Sequence, residues 1–301
     1  MRGLIVGKFE KWALKTRYFF AAIVVFGLVG SSAHARELVI ASFNLKWYGI
    51  GGYKEGKIGK EPRDSDMRQF IKKKLSHSDV LVFQEVVDVE RLKNRLIGAS
   101  HKCRSYSHEN KKHQHVVVCY RRDWSFSREQ NDDDYVMEEV AMGFLRPAVW
   151  GVLRDEEQRP IAHLVAVHLK ASPERFETRL KQVEIIASHL KRISDGLPQI
   201  IVGDFNTFTN AGRDEEEIFS SIFDELGLER VQHAYRYTFN NQRFYNRFDQ
   251  MWVSKGYRWK GGASVLGPCN RAKDREEDAL RLAQYNKRIS DHCPLLVRLT
   301  E

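Results

Sequence analysis

The sequence predicts a mixed fold of the α/β or α+β class. Short apolar runs of strand length alternate with stretches in which apolar residues recur every three or four positions, as they do in helices. After Cys103 the pattern becomes rich in strand-forming residues, with several β-runs close together. With 301 residues, of which 42% are hydrophobic, the chain is long enough for one large domain with a substantial core.

The predicted elements follow one another without an internal repeat. We predict strands at Leu38–Phe43, Val80–Phe83, Lys102–Ser107, His115–Tyr120, Trp124–Ser127, Ala148–Leu153, Ile161–Val167, Gln199–Val202, Gln250–Ser254, Ala263–Leu266 and Leu295–Leu299. Helical spacing predicts helices at Asp66–Leu75, capped by Asp64 or Ser65, and at Val89–Leu96, Phe176–Ile193 and Glu215–Leu226. The charged segment Asp274–Arg288 is either a helix or a solvated insertion.

Residues 1–35 have the pattern of a secretory signal peptide. A basic start is followed by an apolar stretch from Tyr18 to Gly30, and Ala33-His34-Ala35 fits a small-residue cleavage site. The stretch is shorter than the roughly 20 apolar residues of a membrane span, so we favour cleavage over an uncleaved anchor. We therefore expect a periplasmic or secreted protein, with one domain at residues 36–301 and no stable membrane span.

The charge of the chain is mildly basic once this segment is removed. The whole chain has 49 basic and 40 acidic residues, and residues 1–35 hold five of the former and one of the latter, which leaves +5. Such a balance suits a polyanionic substrate without requiring one.

The four cysteines all lie in the predicted mature part. An even number in an exported protein indicates two disulfides. A hairpin of two predicted strands would bring Cys103 and Cys119 together, which leaves Cys269 to pair with Cys293. The other connectivities and four free thiols remain open alternatives. The absence of a C-x-x-C spacing argues against a cysteine metal site.

Polar side chains that carry chemistry come at or near the ends of predicted strands. These residues are Asn44, Glu85, His168, Asp204 and Asp249, and the segment Ser290-Asp291-His292 precedes the last strand. Carboxylate and amide oxygens suit a hard cation, and imidazoles move protons. If these side chains meet in one pocket, they provide what metal-assisted attack on a phosphate ester requires.

The same residues carry a family resemblance. Gly203-Asp204-Phe205-Asn206, Ser290-Asp291-His292-Cys293-Pro294-Leu295 and Phe83-Gln84-Glu85-Val86 resemble segments of the endonuclease/exonuclease/phosphatase superfamily, pancreatic-type deoxyribonucleases among its members. The resemblance runs from about Leu38 to Leu299. It implies an α/β sandwich of two packed mixed β-sheets flanked by helices, and a single catalytic domain.

The resemblance also implies a metal site. It assigns Glu85 as the leading ligand, with Asn44 beside it and Asp291 as a second acidic ligand or orienting group. The expected cation is Mg²⁺ or Mn²⁺, with Ca²⁺ in a supporting role. The alternative for Glu85 is a surface glutamate after a strand, and the alternative for Asn44 is a turn-forming residue.

The resemblance pairs His292 with Asp249 as catalytic groups. His292 would act as a base or hold a phosphoryl oxygen, and Asp249 would fix its tautomer. Asp204 and Asn206 resemble the groups that orient the attacking water and the phosphate.

Two further assignments follow from the resemblance. His168 resembles a proton donor to the leaving oxygen, and Glu109 is a loose match for its carboxylate partner. Arg146 resembles an arginine that grips a phosphate at the edge of the site, although an ordinary surface arginine is the alternative.

Other segments bear on the substrate. Pancreatic-type deoxyribonucleases carry an arginine soon after the Gln-Glu-Val segment, where this chain has Val87-Asp88, so binding of duplex DNA in that manner is in doubt. Aromatic and arginine residues interleave in Tyr235–Phe248, which suits either base stacking or a hairpin with a core of aromatics. The histidines and lysines of residues 101–115 form either a polyanion contact or a solvated loop.

Three functions remain as alternatives. We favour an exported, metal-dependent endonuclease that cuts phosphodiester bonds in DNA, with RNA as a further candidate, and that is a monomer with nucleic acid as its partner. The second is a sphingomyelinase-like or inositol-phosphate phosphoesterase, which shares the catalytic residues. The third is a binding module with a degenerate site.

Overall fold

The computed structural model describes residues 37–50, 61–128, 135–193, 195–208, 214–232, 234, 237–259, 263–269 and 276–300. The predicted signal peptide at residues 1–35 lies outside the described residues, as do Tyr235 and Arg236 of the aromatic segment. Within the described ranges, no helix is both long and apolar enough to cross a membrane.

Strands dominate the described part of the chain. They are β1 (Glu37–Tyr48), β2 (Val80–Val86), β3 (His101–Arg104), β4 (His115–Arg121), β5 (Ser125–Ser127), β6 (Val136–Met137), β7 (Ala148–Arg154), β8 (Pro160–His168), β9 (Gln199–Asp204), β10 (Leu228–Arg230), β11 (Phe239–Asn240), β12 (Tyr245–Asn246), β13 (Asp249–Ser254), β14 (Arg258–Trp259), β15 (Ser264–Val265) and β16 (Leu295–Thr300). Strands β1 and β2 extend beyond their predicted ends, so Asn44 and Glu85 lie inside strands rather than after them.

Apart from β11 and β12, which pair with each other, the strands form two mixed sheets of similar design. The first has the order β14-β16-β1-β2-β4-β3, and the second has the order β10-β13-β9-β8-β7-β5. In each sheet the two central strands run parallel, β1 with β2 and β8 with β9, and the described outer pairs are antiparallel. Both parallel pairs have their carboxyl ends at the site described below.

The core lies between the two sheets. Alternate residues of each central strand point inward, so that Ile40 and Val82 of the first sheet join Ala166 and Val202 of the second in one buried cluster. This packing confirms the predicted sandwich.

Helices cover the outer faces of both sheets. They are α1 (Asp64–Lys74), α2 (Val89–Arg91), α3 (Phe176–Lys191), α4 (Glu215–Asp224) and α5 (Glu276–Arg288). Val183 and Ile186 of α3 pack with Phe219 and Phe223 of α4 on the second sheet, while Met67 of α1 packs on the first.

The structure changes two details of the predicted helices. The segment predicted as a helix at Val89–Leu96 is a single α-helical turn followed by a wider π-helical turn at Leu92–Ile97. Asp64 does not cap α1, because its carboxylate instead accepts hydrogen bonds from Tyr48 and Arg91.

The structure contains two disulfides, Cys103–Cys119 and Cys269–Cys293. The first joins directly opposed residues of β3 and β4. The second ties the segment after β15 to Cys293, the residue that follows His292. These are the pairs that the hairpin argument favoured.

Candidate active site

The second sheet brings three of the candidate residues side by side. His168 ends β8, Asp204 ends β9 and Asp249 begins β13, and Asp204 is in register with both of the others. Gly203 makes this close pairing possible, because its φ is 147° and a Cβ there would lie 2.0 Å from the carbonyl oxygen of Val167. The glycine of the Gly-Asp-Phe-Asn segment therefore has a steric function.

In the first sheet, irregular backbone aims the side chains. The pairing of β1 with β2 shifts register after Asn44, and Lys46, Trp47 and Glu85 all have positive φ, at 48°, 54° and 56°. Two hydrogen bonds hold this conformation: the Lys46 amide donates to Oδ1 of Asn44 at 2.9 Å, and the Trp47 amide donates to Oε2 of Glu85 at 3.1 Å. Residues in such conformations persist where the surroundings fix them, often at functional sites.

Asn44 lies within β1, and its side chain joins the two sheets. Its Nδ2 donates to Oδ2 of Asp204 at 2.9 Å and lies 3.3 Å from Oε1 of Glu85. Its Oδ1 keeps one lone pair beyond the bond to Lys46.

Asp204 lies at the centre of the cluster. Its Oδ2 is 3.7 Å from Nε2 of His168 and 3.8 Å from Nε2 of His292. Burial raises the pKa of Asp204 to about 7, with a further contribution from Asp249, against the opposing effect of His292. The carboxyl group is thus poised to gain or lose a proton near neutral pH.

His292 and Asp249 form a buried pair. Nδ1 of His292 is 2.8 Å from Oδ2 of Asp249. Burial alone lowers the pKa of His292, but the charge and hydrogen bond of Asp249, together with Asp204 and Asp291, raise it to about 10. At neutral pH His292 is an imidazolium, a state that suits holding a phosphoryl oxygen better than accepting a proton.

His168 has the opposite protonation state. Burial lowers its pKa well below the usual value, and the positive charges of Arg146 and His292 act in the same direction. Its Nδ1 has no hydrogen-bond partner among the described residues. Glu109 is exposed on the β3–β4 loop and makes no described contact with His168, so the assignment of Glu109 as its partner was wrong. The resemblance at Glu109 was too loose to identify the partner of His168.

Arg146 supports the end of β8. Its guanidinium donates to the carbonyl oxygens of His168 and Leu169 at 3.1 and 3.0 Å, and to Oε1 of Gln114 at 3.1 Å. The side chain of Asn206 donates to the same Leu169 carbonyl through Nδ2. The backbone amide of Asn206 donates to Oδ1 of Asp204 at 2.9 Å. Arg146 is half-buried and is not an ordinary surface arginine.

Glu85, Asp291 and Asn44 carry the oxygen atoms that could hold a cation. Burial raises the pKa of Glu85, and the negative charge of Asp291 raises it further, so the two carboxylates repel each other. The described part of the chain contains no group of three or more His, Cys, Asp or Glu residues placed to hold a metal. Mg²⁺ commonly binds through one or two carboxylates and several waters, and two repelling carboxylates with an amide oxygen fit that pattern.

The aromatic segment forms a hairpin with a packed interior. The rings of Phe239 and Phe248 lie 4.8 and 6.1 Å from the His292 ring, centroid to centroid. Tyr245 and Arg243 are exposed on the same hairpin. Hairpin aromatics therefore build the wall behind His292.

The histidines of residues 101–115 have local partners. His101 and His115 bond to the carbonyl oxygens of Ser78 and Val86, and the rings of His108 and His113 stack at 3.7 Å.

Sequence reasoning missed three supporting residues. Ser290 accepts from the His292 amide and donates to the Asn44 carbonyl at 2.8 Å, which links the two sides of the site. Thr238 accepts from the Asp249 amide, and Lys46 pairs with Asp291 at 3.4 Å. Only Ser290 had a signal, since it stands in the Ser-Asp-His segment.

The fold and the clustered acids and imidazoles define a class of protein. The sequence matches the Endonuclease/Exonuclease/phosphatase family over residues 41–292. The chain therefore belongs to this family. No curated protein matches the sequence.

Solved structures resemble the fold at low sequence identity. TDP2 from D. rerio, in complex with a single-strand DNA product, is 16% identical, with a TM-score of 0.63 over 88% of this chain and 99% of that one. The human Nocturnin catalytic domain with a bound sulfate anion is 18% identical, with a TM-score of 0.60 over 89% and 94%. A Bacteroides thetaiotaomicron mannosyl-6-phosphatase is 17% identical, with a TM-score of 0.56 over 87% and 99%.

Proposed function

We propose that the protein is an exported, divalent-metal-dependent endonuclease that hydrolyses phosphodiester bonds in DNA. The observation that carries the proposal is the convergence of Asn44, His168 and His292 on one carboxylate oxygen of Asp204. Groups that bind a cation, hold a phosphoryl oxygen and exchange a proton near pH 7 then face one point.

Each residue has a role in this proposal. Asp204, with Asn206 beside it, orients a water molecule and takes its proton as the water oxygen bonds to phosphorus and the ester oxygen leaves. The imidazolium of His292, held by Asp249, stabilises the charge that develops on a nonbridging oxygen. Because His168 is neutral, it is better suited to position the phosphate or the water than to donate a proton to the leaving oxygen. Arg146 keeps His168 in place and offers its remaining N–H groups to the phosphate.

The cation would lie at Glu85, Asp291 and Asn44. A Mg²⁺ or Mn²⁺ ion held there would supply Lewis-acid neutralisation of the negative charge on the phosphate and on the leaving oxygen.

A nucleic acid substrate is supported by charge and by shape. The predicted mature chain is positive, and Arg243 and Tyr245 are exposed on the hairpin that carries Phe239. The single-strand DNA product bound to the related TDP2 fold shows that such a sandwich accommodates a strand in that protein. Export is supported by the pattern of residues 1–35 and by the two disulfides.

A cleavage assay tests the proposal. The purified protein is incubated with supercoiled plasmid, linear duplex, single-stranded DNA and RNA, with Mg²⁺ plus Ca²⁺ and with EDTA, beside His292→Ala. Metal-dependent cleavage that the variant lacks is the expected result, and the substrates rank the preference. If the folded protein cuts no nucleic acid, sphingomyelin and inositol phosphates are the next substrates to test.

A further inference from the structure

Lys46 makes a contact that the proposed reaction does not use. Its ammonium nitrogen lies 3.4 Å from Oδ2 of Asp291 and 3.2 Å from the carbonyl oxygen of Asn286. The Lys46 side chain is 36% exposed and that of Asp291 is 17% exposed, so the pair stands at the open side of the site.

The position of Lys46 is built into the irregular end of β1. Its φ of 48° is rare for a residue with a side chain, and the hydrogen bond from its amide to Asn44 holds it there. Asn44, which also contacts Asp204 and Glu85, thus fixes the backbone from which Lys46 extends.

Lys46 places a positive charge beside the acidic residues on the open side of the site. Asp291 and Glu85 are both acidic, and the ammonium of Lys46 pairs with Asp291. A divalent cation bound at the same oxygens would be repelled by that ammonium and would compete with it for Asp291.

We propose that Lys46 competes with the divalent cation for Asp291 and thereby couples metal binding to the arrival of a phosphoryl group. A phosphoryl oxygen near the site gives the ammonium a new partner, which releases Asp291 to the cation. The inference rests on the proposed metal site and adds a positioning residue to it.

Coupling of this kind is reciprocal. If a phosphoryl group tightens metal binding, the metal tightens binding of the phosphoryl group by the same factor. The free enzyme then binds metal weakly, and the loaded site forms mainly when substrate is present.

Metal binding without turnover tests this coupling. Mn²⁺ binding is measured by electron paramagnetic resonance for the full chain, for Lys46→Met and for Lys46→Arg, with and without methylphosphonate, which contains a phosphoryl group that cannot be hydrolysed. Lys255→Met is the matched control, because Lys255 pairs with Asp224 on the surface outside the site and its loss changes the net charge equally. Circular dichroism and Tm establish that each variant is folded.

We expect Lys46→Met to tighten Mn²⁺ binding about tenfold in the absence of methylphosphonate, and Lys46→Arg and Lys255→Met to stay within about twofold of the wild type. Methylphosphonate should tighten Mn²⁺ binding more in the wild type than in Lys46→Met. Direct contact between phosphonate and metal contributes to both proteins, so the difference isolates Lys46.

Two results would overturn the inference. Unchanged or weaker Mn²⁺ binding by Lys46→Met would show that Lys46 does not compete with the cation. Equal tightening by methylphosphonate in both proteins would show that Lys46 does not couple metal binding to phosphoryl binding. Glu85→Gln separates this failure from failure of the proposed function. If Mn²⁺ binding is the same in Glu85→Gln and the wild type, the metal site itself is wrong, whatever Lys46 does.

Discussion

Nε2 of His292 and Oδ2 of Asp204 lie 3.8 Å apart, although Asp204 ends a strand of the second sheet and His292 precedes a strand of the first. The pair places an imidazolium next to a carboxyl group whose pKa is about 7. Their opposite charges make each the other's electrostatic support. Substitutions in this pair and its partners are therefore the most direct tests of the site.

Replacement of His292 by alanine should reduce kcat by about 10²- to 10⁴-fold, because the variant loses the group that holds the phosphoryl oxygen. Steady-state cleavage kinetics measure the loss of kcat, and thermal unfolding measures any loss of stability separately. His163→Ala is the control, since His163 is also buried and pairs with Asp195 at 2.7 Å, outside the site. Full activity in His292→Ala would remove His292 from the mechanism.

Replacement of Asp249 by asparagine should lower the pKa of His292 from about 10, because the carboxylate is the largest of the influences that raise it. Titration of the imidazole by NMR measures the shift. The lowered pKa of His101, which bonds to Ser78 away from the site, should stay the same in both proteins. An unchanged His292 titration would contradict the pairing.

The same pKa predicts how stability depends on pH. The folded pKa of about 10 exceeds the ordinary value of about 6.5, so protonated His292 stabilises the fold fully below about pH 6.5. That stabilisation is lost as the pH rises through 10. Urea unfolding at several pH values should show the stability of wild type and Asp249→Asn converging over this range. A gap that widens with pH would argue against a cationic His292.

EDTA should abolish cleavage, and Mg²⁺ or Mn²⁺ should restore it, if Glu85 and Asp291 hold a cation. Glu85→Gln keeps the size of the side chain but removes the charge, so it should need far more metal for half-maximal activity. Turnover that resists EDTA would be inconsistent with a metal site. Glu90→Gln serves as a matched control, because Glu90 is exposed and pairs with Lys93 in the π-helical turn that follows α2.

Loss of either disulfide should destabilise the fold by about 2–4 kcal/mol. Loss of Cys269–Cys293 should also lower kcat, because the Cys293 amide donates to Thr238, whose hydroxyl supports Asp249. Loss of Cys103–Cys119 should leave kcat nearly unchanged. Paired Cys→Ala variants, urea unfolding and cleavage kinetics test both statements. Four titratable thiols in the native protein would refute the pairing.

Element types were predictable where the apolar pattern is strong. The runs at Val80–Phe83 and Gln199–Val202 are buried strands because nearly every residue is apolar, and α3 follows its helical spacing. The extension of β2 through Glu85 was not predictable. A charged residue with positive φ ends a strand by local rules, and its hydrogen bonds with Trp47 and Asn44 help keep it in place.

The roles of the two site histidines were also beyond the sequence. His168 and His292 each follow or precede a strand, and nothing local distinguishes their pKa values. Asp249, distant in the chain, bonds to one of them, while Arg146 lies at the other. Likewise, Lys46 gave no signal, because its partner Asp291 is remote in sequence.

The sequence by itself determined the class of fold, the order of the elements and most of the side chains at the candidate site, because apolar periodicity and short motifs are local properties. Tertiary structure decided which of those side chains meet and which histidine is charged. It also decided that Lys46, which no motif indicated, pairs with Asp291. Electrostatic interactions act through space, so the partner of a buried charge is known only when the two sheets are packed together.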